Sequence, residues 1–418
     1  MDTIKSRTIF IVNFIWMNID FVGCVVWFIT GIVNSKSFVE LTFIAPCVTW
    51  CFLGTLKSVY VVLREDKVDK LIQVLRDLEI NERNRPKDAE KDAIMKFEHN
   101  FVTTVISVLN VFYFVLAVMV ALSPLSLMAL NYYTTNELEL LLPLLAVYPF
   151  DHYNIRYWPW VYLRQVWSTV IVTIDICTAD YIFYIFCTYI RMQFRLLKQN
   201  IETFIPDDVI DGRLQNIEAV RTEFVVLVKW HQDLISSTKM LEAIYTRSTL
   251  LNFVSSSVII CLDGFNVMAI NNIATIFTCL SFLFTSLLQI FFLCFFGDLL
   301  MTSSIEVSDA VYNCRWYLAD TRLGKDLLLM QTRAQNPCKL TASNFAVVNL
   351  KAFMKVGNIH ITPSTLERRG SIRLLVTKKT FCRGHSNTFE QSSSTNIILI
   401  YVHNESNGNK LSRRLFFR

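Results

Sequence analysis

Apolar residues gather along this chain into runs near 8–33, 38–63, 101–128, 163–190, 248–270 and 273–296, and a seventh opens at Phe345. The first six are long enough to cross roughly 30 Å of hydrocarbon as helices. Between them the pattern changes to a period near 3.6. Val68, Leu71, Ile72, Leu75 and Leu78 share one face of an amphipathic helix in the second connection. From Arg213 to Arg247 there is neither Gly nor Pro. There Leu214, Ile217, Val220, Phe224, Leu227, Val228, His231, Leu234, Leu241, Ile244 and Tyr245 form one apolar stripe. This predicts a helix that runs without a break into the fifth span and packs against a partner outside the membrane. Residues 298–334 supply the partner. Leu299, Ile305, Val311, Tyr312 and Trp316 recur at helical spacing, with Glu306, Asp309, Arg315 and Asp320 between them. A second face, Leu327 to Met330 and Ala334, meets Asn336–Pro337, where the helix should stop. A fresh segment starts at Leu340–Thr341 and turns apolar from Phe345.

The pattern therefore predicts an all-α, polytopic membrane protein: a seven-span bundle with a helical base. Its parts are 1–190 (four spans), 191–247 (a helical connection), 248–296 (spans five and six), 297–356 (an arm and the start of span seven) and a tail, 357–418. Composition agrees. With 53% hydrophobic and 18% charged residues, 418 residues are too apolar for a soluble domain. The net charge of +5 misleads, because the tail alone carries ten Lys/Arg against three Glu. The rest of the chain is slightly acidic and gives no case for nucleic acid. The eleven cysteines lie mostly inside apolar runs and read as small buried residues.

Positive charge sets the orientation. Lys and Arg crowd the second, fourth and sixth connections, whereas the third has only Arg156 outside the span ends and the fifth, around Asn271–Asn272, has none. The N-terminus is then cytoplasmic, the opposite of a G-protein-coupled receptor. The third connection, 129–162, becomes extracellular. Its aromatics, Tyr132, Tyr133, Tyr148, Phe150, Tyr153, Tyr157, Trp158, Trp160 and Tyr162, read either as an interfacial belt or as a lid over a cavity.

Polar groups inside spans are the default place to look for function. Asp20 lies in the first span, Asp175 and Asp180 in the fourth and Asp263 in the fifth. Each is readable as an inter-helix hydrogen-bonding residue, an ion-pathway residue or a ligand contact. Asp175 and Asp180 point to nearly opposite faces and form no catalytic pair. Enzyme chemistry has no support: there is no Gly-rich phosphate loop, no H-E-x-x-H and no G-x-S-x-G. The six His are scattered without ligand spacing, so no metal or cofactor is expected.

Three runs in order carry a resemblance: A-x-Y-x-C-x-W-Y (Ala310 to Tyr317), K-D-L-L-L-M-x-x-R-A-Q-x-P (Lys325 to Pro337) and K-L-T-A (Lys339 to Ala342). Together they resemble the C-terminal region of insect odorant receptors, and the layout is similar over roughly 8–356. The resemblance implies a cell-membrane receptor subunit that binds a volatile apolar odorant and gates a cation current. Its partners would be a co-receptor, in a heterotetramer, and membrane lipid. It implies a ligand site among the outer halves of the second, third, fourth and sixth spans, with Phe43, Trp50, Met119, Tyr162, Trp167, Thr169 and Phe277 as candidate walls. It implies a subunit anchor, for which Tyr312, Trp316, Tyr317 and Leu328 are candidates. The family's last span lines the pore; here Leu350 and Phe353 are at most its start. After Val356 no span-length run follows, and the tail reads as translated intron or a frame-altered exon, with a real, expressed alternative tail as the competing view. A gustatory-type receptor, a G-protein-coupled receptor and a transporter are the competing readings; paired interrupted helices, which a transporter would show, are absent from the sequence pattern.

Overall fold

The computed structural model describes residues 2–83, 89–136, 139–206, 209–210, 213–214, 217–269, 273–360, 372–380, 396–404 and 413–416. Residues 1–360 form one compact unit and 361–418 another. The first unit contains α1 (Asp2–Val33), α2 (Phe38–Leu63), α3 (Glu65–Arg83), α4 (Ala89–Thr135) and α5 (Trp158–Thr203). A two-stranded ribbon, β1 (Val209–Ile210) with β2 (Arg213–Leu214), leads into α6 (Ile217–Ala269) and α7 (Ile273–Asn313). A 3-10 turn at Trp316–Leu318 precedes α8 (Thr321–Ala334), the hairpin β3 (Thr341–Ala342) and β4 (Ala346–Val347), and α9 (Leu350–His360). Among the described residues six helices, α1, α2, α4, α5, α6 and α7, are long and apolar enough to cross a membrane.

Local chemistry explains several boundaries. Ser37 caps α2 by accepting the Glu40 amide, and Pro159 sits in the first turn of α5, where its missing N–H costs nothing. Asp320 caps α8 by accepting the Leu323 amide at 3.3 Å. Helix α8 ends at Ala334, ahead of Asn336–Pro337, as the breaker predicts. Helix α6 has 53 residues, about 80 Å at about 1.5 Å each. That is more than twice the hydrocarbon thickness, so its first half, up to about residue 247, projects beyond the bilayer. There its stripe shares one core with the arm: Leu227, Leu234 and Leu241 cluster with Leu300, Val307, Ala310, Leu327 and Met330.

Two expectations need correction. The last helix begins at Leu350, not at Phe345, because Thr341–Ala342 pairs antiparallel with Ala346–Val347. Ser343 and Asn344 turn that hairpin with φ of 49° and 61°, a conformation Asn accepts with little strain. Secondly, α4 runs on to Thr135 and α5 starts at Trp158, so Tyr132, Tyr133, Trp158, Trp160 and Tyr162 are helical, not loop. In the tail the described residues form β5 (Ile372–Thr380), β6 (Asn396–Asn404) and β7 (Arg413–Phe416), an antiparallel sheet in that order. The β-branched run inside Asn396–Val402 suits a strand. The fifth connection at Asn271–Asn272 lies outside the described residues.

Candidate functional site

A cavity lies within the bundle between α1, α2, α4, α5 and α7. Its apolar walls are Met17, Trp50, Leu116, Ala117, Val120, Leu144, Val172 and Phe282, with the thiols of Cys47 and Cys51. One side is polar: Asp20, Ser168, Thr169 and Thr173. The centre of a water-sized sphere can move through about 40 Å³ of it. An apolar chamber with a few convergent polar groups is the usual form of a small-molecule site.

The polar side is built around Asp20, which is buried. Its Oδ1 accepts from the Tyr148 hydroxyl at 2.7 Å and from the Arg164 guanidinium, and its Oδ2 accepts from Ser168. Arg164 also lies over the rings of Trp16 and Tyr148. A charge in the apolar bundle is thus paired and hydrogen-bonded, the condition under which burial is tolerated.

The segment 139–157 is strapped across this end of the bundle. Gln165 acts as a double clamp: its Oε1 accepts the Leu144 amide at 2.9 Å, and its Nε2 donates to the Leu144 carbonyl at 3.1 Å and to Tyr148 Oη at 2.9 Å. Trp158 donates its indole N–H to the Leu141 carbonyl at 3.0 Å. The Val147 amide donates to the Gly23 carbonyl at 3.1 Å. The approach at Gly23 is close: a Cβ there would stand 3.1 Å from both Ala146 Cβ and the Val147 oxygen. The strap brings Leu144 onto the cavity wall.

Further polar ties cross the bundle beyond the cavity. Lys57 Nζ meets Asp180 Oδ1 at 2.7 Å with both side chains buried, and Gln289 Nε2 donates to Asp180 Oδ2 at 2.7 Å. This triad joins α2, α5 and α7. Thr42 and Asn266 bond reciprocally between α2 and α6. Asp263 is buried, and its Oδ2 has no hydrogen-bond partner among the described residues.

Of the residues expected on a ligand site, Trp50 and Thr169 line the cavity. Tyr162 is not part of its lining; it is buried with Leu142 and Val161, its hydroxyl donating to the Ala121 carbonyl. Phe43 is half-buried one turn before Cys47. Met119, Trp167 and Phe277 are exposed on the outside of the unit. Tyr312, Trp316, Tyr317 and Leu328 are all exposed on the arm, Tyr317 at 69% and Leu328 at 62% exposure, and the Trp316 and Tyr317 rings meet edge-on. Leu350 opens α9 and is half-buried. Phe353 packs edge-on against Phe291, centroids 5.4 Å apart. Among the described residues no group of His, Cys, Asp or Glu could hold a metal. Sequence reasoning missed Arg164, Gln165, Lys57 and Gln289. Their signal was present, as polar residues within or at the ends of apolar runs.

Comparison with known proteins fits this architecture. A model of the 7tm odorant receptor family matches residues 18–360. Putative odorant receptor 92a of Drosophila melanogaster is 22% identical over 360 residues, 84% of each chain. Odorant receptor 67c of the same species is 27% identical over 351 residues, 82% of this chain and 83% of its own. The solved structure of the insect olfactory receptor OR5 from Machilis hrabei shares the fold at a TM-score of 0.68 and 17% identity, covering 83% of this chain and 86% of that one. Its complex with eugenol gives 0.71 at 17% identity, covering 86% and 88%. These matches make the chain a multi-pass membrane protein, and with the family model running through all its long helices it belongs to the 7tm odorant receptor family.

Proposed function

We propose that this chain is an odorant-binding subunit that takes a small volatile molecule into the cavity beneath the 139–157 strap and gates a cation current with a co-receptor. The observation that carries the reading is the chamber itself: apolar, polar on one side only, and walled in part by Leu144 of a segment tied to the bundle through Gln165. The fold match to a receptor solved with eugenol supports it. The charge distribution supports a cytoplasmic N-terminus, which puts the strap on the extracellular side, where an odorant arrives.

In this reading the exposed residues Tyr312, Trp316, Tyr317 and Leu328 face a neighbouring subunit of a heterotetramer. Buried aromatic anchors dominate such contacts. Leu350 and Phe353 would stand at the start of the pore wall. Over its described residues, Leu350–His360, α9 covers about 16 Å at about 1.5 Å per residue. The test is co-expression with the co-receptor and recording of odorant-evoked cation current. Current that is unchanged when Ala117→Phe fills the cavity rejects the reading.

A further inference from the structure

The hydroxyls around the cavity define what it can accept. Ser168, Thr169 and Thr173 all line it, and each has its single O–H hydrogen committed elsewhere. Ser168 Oγ donates to Asp20. Thr169 Oγ1 donates to the Gln165 carbonyl at 3.0 Å, and Thr173 Oγ1 to the Thr169 carbonyl at 2.8 Å. A hydroxyl has one hydrogen and two lone pairs, so what remains for a guest is lone pairs. Asp20, as a carboxylate, is an acceptor as well; Tyr148, Arg164 and Ser168 occupy three of its roughly four lone-pair sites. The donors among the lining residues are the one indole N–H of Trp50 and the weak S–H groups of Cys47 and Cys51. The cavity is therefore rich in acceptors and poor in donors.

We propose that the cavity selects small hydroxyl-bearing volatiles, alcohols and phenols, over ethers, esters and ketones of the same size; this deepens the ligand-binding reading above and rests on it. An O–H guest donates to Thr169, Thr173 or Ser168 and can accept from Trp50. An acceptor-only guest can take only the Trp50 N–H or a weak thiol S–H, and it leaves the lone pairs of Thr169, Thr173 and Ser168 without a donor. A site with such unpaired groups rejects the analogue that cannot satisfy them far better than an apolar wall rejects an extra methylene. A protonated amine also donates, yet it fails for another reason. Arg164 already neutralises Asp20, so an ammonium ion would lose its hydration without meeting a net negative wall. The free space, about 40 Å³ for the centre of a water-sized sphere, restricts the guest to one ring or a short chain.

The full chain in lipid nanodiscs, its thermal midpoint titrated with phenol, toluene and anisole, tests this. Phenol and toluene are near-isosteric, and anisole is acceptor-only. Phenol should half-saturate the shift at a concentration at least about tenfold lower than either of the others. Thr169→Val with Thr173→Val, which leaves Ser168 as the one remaining hydroxyl acceptor, should narrow that preference several-fold and leave the toluene titration in place; Thr169→Val alone serves if the pair does not fold. Ala117→Phe should abolish all three titrations. Equal half-saturation by phenol and anisole, both lost in Ala117→Phe, overturns the donor rule while the cavity stands. Titrations that Ala117→Phe leaves untouched overturn the binding reading and this inference with it.

Discussion

Thr42 and Asn266 exchange two hydrogen bonds between α2 and α6: Thr42 Oγ1 donates to Asn266 Oδ1 at 2.8 Å, and Asn266 Nδ2 donates to the Thr42 carbonyl at 2.9 Å. The second bond has a cause four residues on. Pro46 lies inside α2 and has no N–H to give the carbonyl of residue i−4, which is Thr42. Asn266 supplies the missing donor. Both groups are buried, where an unmet carbonyl costs about 1–3 kcal/mol.

The clasp and the proline should therefore be coupled. Asn266→Leu alone should lower stability by about 1–3 kcal/mol. In Pro46→Ala the new N–H can take the Thr42 carbonyl, so adding Asn266→Leu there should cost less by about 1 kcal/mol. A double-mutant cycle on thermal or denaturant midpoints measures the difference. Strict additivity would refute the assignment.

The Lys57–Asp180 pair makes a second, larger cycle. Lys57→Met leaves the Asp180 carboxylate with only Gln289 in a buried site, and stranding one member of such a pair costs about 3–5 kcal/mol. Adding Asp180→Asn removes the stranded charge and keeps an acceptor for Gln289. The double variant should be more stable than Lys57→Met alone. If it is less stable, the two residues do not act as a pair.

His231 gives a pH dependence. It lies in the first half of α6, outside the bilayer, buried against Phe194 with its rings edge-on. Burial, and then the positive charge of Arg333, lower its pKa from 6.5 to about 4. Between those values the unfolded chain binds the proton and the folded chain does not. Stability is then full above about pH 6.5 and falls as pH drops towards 4, by on the order of 3 kcal/mol at the limit. His231→Leu should flatten that limb of the pH–midpoint curve, and an unchanged limb would place the dependence elsewhere.

Much of this architecture was readable from the chain. The stripe ending at Tyr245 foretold the long α6, and Pro337 the end of α8. The side of each span that faces inward was harder to read. Met119, Trp167 and Phe277 lie on helices that are apolar all round, where periodicity gives no face, and they are exposed. Trp50 and Thr169 lie on helices equally apolar and face the cavity; composition could not separate the two groups. The partners of Asp20 and Asp180 come from helices distant in sequence, and a single chain carries no pairing signal. The β3–β4 hairpin escaped notice because its strands have two residues each, too few to show alternation.

The exposed arm residues separate folding from assembly. Trp316 and Leu328 are exposed, so Trp316→Asp with Leu328→Asp should shift the midpoint of the isolated chain by no more than about 1 kcal/mol. The same pair should abolish co-purification with the co-receptor, because a charge in an apolar contact stays unpaired. Intact co-purification would remove these residues from the interface.

Two glycines at this end of the chain should respond to alanine with opposite signs. Gly324 lies within α8 with nothing within 4 Å of a would-be Cβ. Alanine there gains helix propensity, about 0.5–1 kcal/mol of stability. At Gly297 a Cβ would stand 2.4 Å from the Val348 carbonyl oxygen, and that backbone is held on both sides. The Val348 amide donates to the Leu340 carbonyl at 2.8 Å, and the Ser343 amide donates to Thr246 Oγ1 at 2.7 Å. The hairpin must shift as a unit, and with it the start of α9 at Leu350. Gly297→Ala should cost about 1–3 kcal/mol, and Gly297→Val more. If Gly297→Ala proves neutral, the hairpin is not wedged between α6 and α7, and the position of Leu350 and Phe353 is set by something other than this contact.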